Sequence, residues 1–433
     1  MSKKLSGFPE FLPRERIVEQ QVLDHLRRTF ELHGFANVET RAVEPLDVLL
    51  RKGEIDKEVY AVKRLAADPA EPAELALHYD LTVPFARYVL ENAGKLEFPF
   101  RRWQIQKVWR GERPQQGRFR EFTQADIDIV ARDVLPFHFD VEVARVMAEA
   151  LAGLPIPRAT LQISNRKILE GFYLGLGVAD PTAVMQVVDK LDKVPAERIR
   201  ELLLEQGLDA PQAERILALA EIVTTDTSFV QRVEALGVEH ELLAEGLAEL
   251  AQVVKGASDV DGVTVTADLR IARGLDYYTG TVFETRLEGW EHLGSICSGG
   301  RYDELAKDRR STYPGVGISL GVSRLLVPLA LAASRSVPSA VLVAVDAEES
   351  RSISDTIAGA LRYRDIPTEV APAAAKFGKQ IQYAEKRGIP YVWFPPSSVK
   401  DIRSGEQVDA DPTTWTPPLE DLTPTILTKE QLS

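Results

Sequence analysis

Three features of the sequence predict an α+β protein made of more than one domain. The first is a hairpin: Trp103–Arg110 and Arg120–Val130 read as strands around a polar loop, Gly111–Gly117, that contains Gly and Pro. The second is a change of composition from Asn165 to about Gly256, where Leu, Ala and Glu dominate and Pro and Gly break the run into short helices. The third is a regular alternation of strand and helix from Val341 to Phe394, which predicts a small α/β domain with a largely parallel core. A chain of 433 residues is long enough for roughly two or three such domains.

Taken in order, Pro13–Gly34 reads as a helix, with Ile17, Val22, Leu26 and Phe30 at helical spacing and Gly34 as its stop. Phe35–Val43 then reads as a strand. Leu75–Thr82 alternates in part and stops at Pro84, so Asp80 and Thr82, two apart, share a strand face. Asp80 reads equally as a ligand group or as a carboxylate capping the next helix. In the second hairpin strand Ala125, Ile127 and Ile129 lie on one face, suited to a core, and Gln124, Asp126 and Asp128 on the other, suited to a cleft. Arg110 ends the first strand, with Arg113, Arg118 and Arg120 close by. Pro155–Ile163 can return to the sheet, and Thr264–Leu269 reads as another strand. Within the helical stretch, Ala213–Ile222 and Glu241–Val254 are the clearest helices, and their acidic faces read as solvated. Gly315–Leu326 reads as a Gly-rich strand running into a helix. Ser334–Ser339 is a linker, and the tail beyond Asp409, with Pro412, Pro417 and Pro418, is expected to be partly irregular.

Composition narrows the class. No apolar run approaches the ~20 residues that span a bilayer, and Met1-Ser2-Lys3-Lys4 is not followed by the apolar segment of a signal peptide, so no membrane partner is expected. A single cysteine, Cys297, rules out an intrachain disulfide framework and a multi-cysteine zinc site, and fits a reducing cytoplasm. The net charge of -13 disfavours a nucleic-acid partner unless a local basic strip exists. Lys376, Lys379, Lys386, Arg387 and Lys400 form such a strip in the last domain.

The stretch Arg273–Glu284, Arg-Gly-Leu-Asp-Tyr-Tyr-Thr-Gly-Thr-Val-Phe-Glu, is the most informative. Arg273 can grip an anion with two parallel bonds, Gly274 allows a turn or close approach, and Tyr277 and Tyr278 offer flat faces tipped with hydroxyls. From the residues alone it reads equally as a binding loop or as a surface turn with one solvated arginine. It resembles the signature loop of the histidyl-tRNA synthetases, a class II aminoacyl-tRNA synthetase family, and Gly299-Gly300-Arg301-Tyr302-Asp303 is similar to a second loop of that family. The hairpin resembles class II motif 2, keeping Phe122, Gln124 and Asp128 at the family spacing, and Gly315–Leu326 resembles motif 3, with Ser323 where an acidic residue is usual. The last domain resembles the family's anticodon-binding domain through Lys376–Gln380 and Lys400–Arg403.

The resemblance implies a class II catalytic domain with a mainly antiparallel sheet over 1–164 and 259–333, a helical insertion over 165–258, and an anticodon-binding domain over 338–433. It implies a histidine–tRNA ligase whose partners are ATP with Mg2+, L-histidine and tRNA(His), working as a homodimer in the cytoplasm. Arg273, Arg110 and Arg324 would be the catalytic arginines, with Arg110 on the α-phosphate and Arg324 against adenine and γ-phosphate. Asp80, Thr82, Gln124, Asp128, Tyr277, Tyr278 and Tyr302 would bind histidine, with Asp80 and Thr82 on its amino group and Asp128 and Tyr278 on its ring nitrogens. Arg113 and Gln115 would meet the tRNA acceptor end. A related fold serves as a non-catalytic regulatory subunit in histidine biosynthesis, and the loops, arginines and extra domain present here favour the ligase.

Overall fold

The computed structural model describes residues 5–50, 58–68, 70–273, 277–329 and 332–427. The turn expected at Gly274 lies outside them. By their contacts the residues fall into two units, Met1–Pro9 with Leu23–Pro328, and Glu10–Val22 with Leu329–Ser433.

Helix α1 (Pro13–Leu32) buries Val18, Val22, Leu26 and Phe30 on one face; Val18, four positions before Val22, opens this stripe in place of the expected Ile17, and Gly34 follows at a φ of 75° that suits glycine. Next come β1 (Ala36–Asn37), β2 (Val43–Pro45), α2 (Leu46–Leu49), β3 (Ala61–Val62), β4 (Leu75–Leu77) and α3 (Thr82–Asn92). The hairpin is β5 (Phe100–Trp109) and β6 (Glu121–Val130). After α4 (His138–Ala152) and β7 (Ala159–Asn165) the helices α5 (Arg166–Gly175), α6 (Pro181–Val188), α7 (Ala196–Glu205) and α8 (Ala210–Ala220) follow. Then β8 (Val223–Thr224), α9 (Phe229–Glu234), α10 (Glu241–Ala257), β9 (Val263–Asp268), β10 (Thr281–Leu287), β11 (Cys297–Tyr302), β12 (Gly315–Gly321) and α11 (Val322–Leu326) complete the first unit.

A nine-stranded sheet in the order β1-β5-β6-β12-β11-β10-β7-β9-β8 organises this unit. Among the described residues its neighbours pair antiparallel except β1 with β5 and β7 with β9. The hairpin pairs without interruption from Phe100 opposite Val130 to Trp109 opposite Glu121. Ala125, Ile127 and Ile129 are fully buried, as the alternation predicts. Helix α4 packs against β12, β6, β9 and β7, and α10 packs on α4 and α5.

Three expectations are corrected. The strand expected over Phe35–Val43 divides: β1 joins the large sheet beside β5, the chain then leaves it, and β2 pairs with β4 in a separate three-stranded sheet, β2-β4-β3. Asp80 and Thr82 do not share a strand face, because β4 ends at Leu77 and Thr82 opens α3. Asp80 Oδ1 accepts the Val83 N–H at 3.1 Å, the cap that competes with strand geometry. Gly299–Asp303 is not a loop: Gly299 to Tyr302 belong to β11, paired to β10 and β12.

The second unit holds β13 (Val341–Val343), α12 (Arg351–Tyr363), β14 (Thr368–Val370), α13 (Phe377–Arg387), β15 (Tyr391–Phe394), β16 (Ser398–Asp401) and β17 (Gln407–Asp409). The sheet order is β14-β13-β15-β16-β17. Its core pairs are parallel, but β16 and β17 add an antiparallel edge. Trp393 is fully buried, and Trp415 of the irregular tail packs edge-on against it at 5.7 Å. Lys376, Lys379 and Lys386 are exposed along α13, whereas Arg387 is engaged by Glu369 at 3.3 Å and by the Tyr383 ring. No helix among the described residues is long and apolar enough to cross a membrane.

One buried charge ties the first unit together. Asp140 of α4 accepts Thr281 Oγ1–H and Arg301 Nη1–H, each at 2.7 Å, so one carboxylate fixes the starts of β10 and the end of β11 to the helix behind them. Burial raises its pKa from 3.8 to about 6, with Arg301 opposing the rise. The folded chain therefore holds this proton more tightly than the unfolded chain does. The stability gained is fully present below pH 3.8 and is lost as pH rises through about 6. An Asp140→Asn variant cannot ionise. Its melting temperature should gain on that of the wild type as pH rises from about 4 to about 7; a difference that stays constant across the range contradicts this.

Candidate active site

Strands β6, β11 and β12 line two neighbouring cavities. Both are lined by Arg110, Gln124, Ser298 and Ser319, so they meet along one seam.

The first cavity is cationic. Arg110, Arg118 and Arg324 line it, with Glu112 as the acidic side chain among the lining residues. Arg110 leaves the end of β5 and is aimed by two contacts: its Nε donates to the Tyr79 carbonyl at 3.0 Å, and its guanidinium carbon lies 5.3 Å from the Phe122 ring centroid. Arg324 lies on α11, directly after β12, and its Nη1 donates to the Ser295 carbonyl. Arg118 pairs with Glu112. Burial lowers the Arg324 pKa, and the like charges of Arg118, Arg110 and Arg273 lower it further, although an arginine stays protonated in water-accessible conditions. Burial alone would raise Glu112, yet the bond from Arg118 and the charges of Arg118, Arg110 and Arg324 leave it lowered. Such a site repels itself until an anion enters.

The second cavity is acidic and aromatic, lined by Asp80, Asp126, Asp128, Tyr277, Tyr278 and Tyr302 together with Thr82. Asp128 is fixed from both sides: Tyr302 Oη donates to Oδ1 at 2.7 Å and Arg102 Nη2 to Oδ2 at 2.6 Å. Arg102 stands directly opposite Asp128 in the hairpin, is fully buried, and lies over the Phe85 ring at 4.4 Å. Gly317 of β12 makes room for this carboxylate; a Cβ there would lie 2.2 Å from Asp128 Oδ1. Gln124 Nε2 donates to Ser319 Oγ at 2.7 Å, which donates in turn to Asp126 Oδ1 at 2.6 Å. The Tyr277 and Tyr278 rings stack at 4.1 Å with 47° between their planes.

The structure thus brings Arg110, Arg324, Gln124, Asp80, Thr82, Asp128, Tyr277, Tyr278 and Tyr302 around one seam. Arg273 is placed differently. It lines a third cavity and is held by carboxylates, with Nη2 2.6 Å from Asp192, Nη1 2.8 Å from Glu284 and Nε 3.5 Å from Asp189. It lies near enough to act electrostatically on Arg324. Arg113 and Gln115 are exposed on the hairpin loop and line neither main cavity.

Sequence reasoning did not single out Arg102, Ser319 or Glu112, nor the Asp189–Asp192 partners of Arg273. For Arg102 a signal existed: it faces Asp128 once the hairpin is paired outward from its loop. For Asp192, 81 positions from Arg273, no local pattern points to the contact.

Comparisons with known proteins identify the family. The family model described as Histidyl-tRNA synthetase matches residues 7–325. The histidine–tRNA ligase of Micrococcus luteus is 59% identical, covering 98% of this chain and 99% of its own. The crystal structure of histidyl-tRNA synthetase from Nostoc sp. PCC 7120 superposes with a TM-score of 0.84 at 33% identity, covering 94% of this chain and 96% of its own. A Bacillus halodurans protein described as an ATP phosphoribosyltransferase regulatory subunit/histidyl-tRNA synthetase has a TM-score of 0.74 at 19% identity, covering 91% of this chain and 98% of its own, and shares the fold. With its antiparallel sheet, its paired cavities and a family match over most of its length, the chain belongs to the histidyl-tRNA synthetase family.

Proposed function

We propose that the chain is a histidine–tRNA ligase that joins L-histidine to ATP as histidyl-adenylate and then transfers the histidyl group to the 3′ end of tRNA(His). The observation that carries this reading is the seam: a cationic cavity fit for a polyphosphate opens onto an acidic, aromatic cavity fit for an amino acid, with Arg110 and Gln124 shared.

In the first step a histidine carboxylate oxygen attacks the α-phosphorus of ATP, and the bond to the β-phosphate oxygen breaks to release pyrophosphate. Two anions must approach, so the chain's contribution is charge and position. Arg110 sits at the seam, where the α-phosphate and the incoming carboxylate meet. Arg324 serves the adenine and γ-phosphate end. Arg273, released from or turning within its carboxylate clamp, supplies the third charge. Asp80 and Thr82 hold the amino group, Gln124 orients the amino acid, and Tyr277 and Tyr302 shape the pocket. Asp128 and Tyr278 partner the two imidazole nitrogens, so an amino acid lacking either nitrogen forfeits that bond and is disfavoured. ATP enters with Mg2+ on its phosphates. Among the described residues no group of three His, Cys, Asp or Glu side chains is placed to hold a metal, and Glu112 is already bonded by Arg118, so the metal is assigned to the nucleotide.

In the second step a ribose hydroxyl of the tRNA attacks the histidyl carbonyl and AMP departs. Arg113 and Gln115, exposed on the hairpin loop, meet the acceptor end. The second unit meets the anticodon through the lysines of α13. Residues 165–258 act as an insertion into the catalytic domain, the working form is a homodimer, and the setting is cytoplasmic.

Pyrophosphate exchange tests the reading: histidine, and no other amino acid, should stimulate it. Exchange driven by a different amino acid, or by none, overturns the proposal. Arg324→Ala should lower kcat/KM for ATP by about 100- to 1,000-fold with an unchanged melting temperature; a loss below about tenfold removes Arg324 from the nucleotide site. Gly317→Ala should raise the KM for histidine at least about tenfold, because its Cβ meets both Asp128 and the Ile127 carbonyl oxygen and shifts β6 where it lines the acidic cavity; a KM within about twofold of the wild type contradicts that account.

A further inference from the structure

Asp126 is the one carboxylate of the β6 cleft face to which the reading above gives no task. It is 1% exposed and lines the acidic cavity between Gln124 and Asp128. Its Oδ1 accepts the Ser319 hydroxyl at 2.6 Å, and that hydroxyl is itself fixed by Gln124. The side chain therefore has a set orientation. Its other oxygen, Oδ2, is buried and has no hydrogen-bond partner. The Arg102 guanidinium lies 3.9 Å away, beyond bonding reach, and is already committed to Asp128 at 2.6 Å. Asp128, by contrast, has both oxygens engaged within the protein. One guanidinium thus faces two carboxylates and bonds one of them, leaving a fixed, desolvated and unpartnered oxygen on a side chain that lines the cavity. A buried acceptor left unmade is costly and persists where a ligand supplies the donor.

We infer that Asp126 is a further substrate-binding residue, whose Oδ2 accepts an N–H of bound histidine. Arg102 is its positioning partner, keeping Asp126 and Asp128 as neighbours that would otherwise repel. The inference rests on the ligase reading. Histidine suits the site because it brings both an ammonium and a ring N–H to a cavity rich in acceptors. The groups acting on Asp126 are Arg102 from β5, Asp128 from β6 itself and Asp80 ahead of α3, and Asp126 acts in turn on Cys297 of β11. Burial raises its pKa to about 7, Arg102 opposes the rise, and Asp128 adds to it. The empty site is therefore about half protonated near pH 7, and a bound N–H favours the ionised form.

The test is steady-state pyrophosphate exchange by the full chain with Asp126→Asn, near in shape and unable to ionise. The KM for histidine should rise about 10- to 100-fold, with the KM for ATP within about twofold of the wild type. The wild-type advantage in kcat/KM for histidine should widen as pH rises through about 7, and titration of the substrate's own imidazole cancels in that ratio. If the Asn variant does not fold, Asp126→Ser, small and neutral, is read in the same way. A histidine KM within about twofold of the wild type, or an advantage that does not change with pH, overturns the inference and makes Asp126 a structural acid. A wild type without histidine-dependent exchange overturns both the function and the inference. Histidine-dependent exchange with an indifferent Asp126 variant overturns the inference alone.

Discussion

The placement of β6 between β5 and β12 is the constraint on which the rest of the molecule depends. Alternation along β6 sends Ala125, Ile127 and Ile129 into the core and Gln124, Asp126 and Asp128 into the cleft. Pairing with β5 sets Arg102 against Asp128, and pairing with β12 sets Gly317 against the same residue. A slip of one residue in either pairing would send the carboxylates into the core and the isoleucines into the cavity. The three fully buried apolar side chains make that slip costly, so the hydrophobic face of β6 is what fixes the chemistry on its other face.

The site gathers like charges at close quarters, and the surrounding fold offsets their cost locally. Arg110, Arg118 and Arg324 line one cavity, tempered by Glu112, by backbone carbonyls of Tyr79 and Ser295 and by the Phe122 ring. Asp126 and Asp128 lie side by side with Arg102 beneath them. Neither group is an arrangement that maximises stability, since buried ions gain less from pairing than they lose on leaving water. Under the proposed function, ligands of opposite sign would relieve the remaining repulsion, and binding energy would be available where charge must be brought together. Arg273 extends the same logic. Its clamp of Asp189, Asp192 and Glu284 holds a third cation beside the site without adding its full charge to the cavity.

Much of this was readable in the sequence, and what was not has a physical cause. The hairpin, the two faces of β6 and the α1 stripe were legible because period-two and period-3.6 patterns are local. Strand Phe35–Val43 misled because an apolar-rich stretch does not say which sheet it joins, and here it is divided between two. Asp80 and Thr82 reached the same cavity by a route other than the expected one, a capped helix start in place of a strand face. Gly299 and Gly300 suggested a loop, yet these glycines serve close strand packing; a Cβ on Gly299 would lie 2.2 Å from the Gly317 carbonyl oxygen. Ser319 bonds Asp126 across 193 positions, a contact without any local signature. Strands β16 and β17 are short and largely polar, which hides them from a reading based on apolar alternation.

Under the proposed function the two cavities form one reaction chamber with its seam at Arg110 and Gln124. A crystal structure with a non-hydrolysable histidyl-adenylate analogue is the decisive measurement. The phosphate mimic should bond Arg110, the adenosine should lie in the cavity lined by Arg324, and the imidazole in the cavity lined by Asp128 and Tyr302. An analogue bound with its phosphate mimic away from Arg110, or with both ends in a single cavity, would contradict this reading.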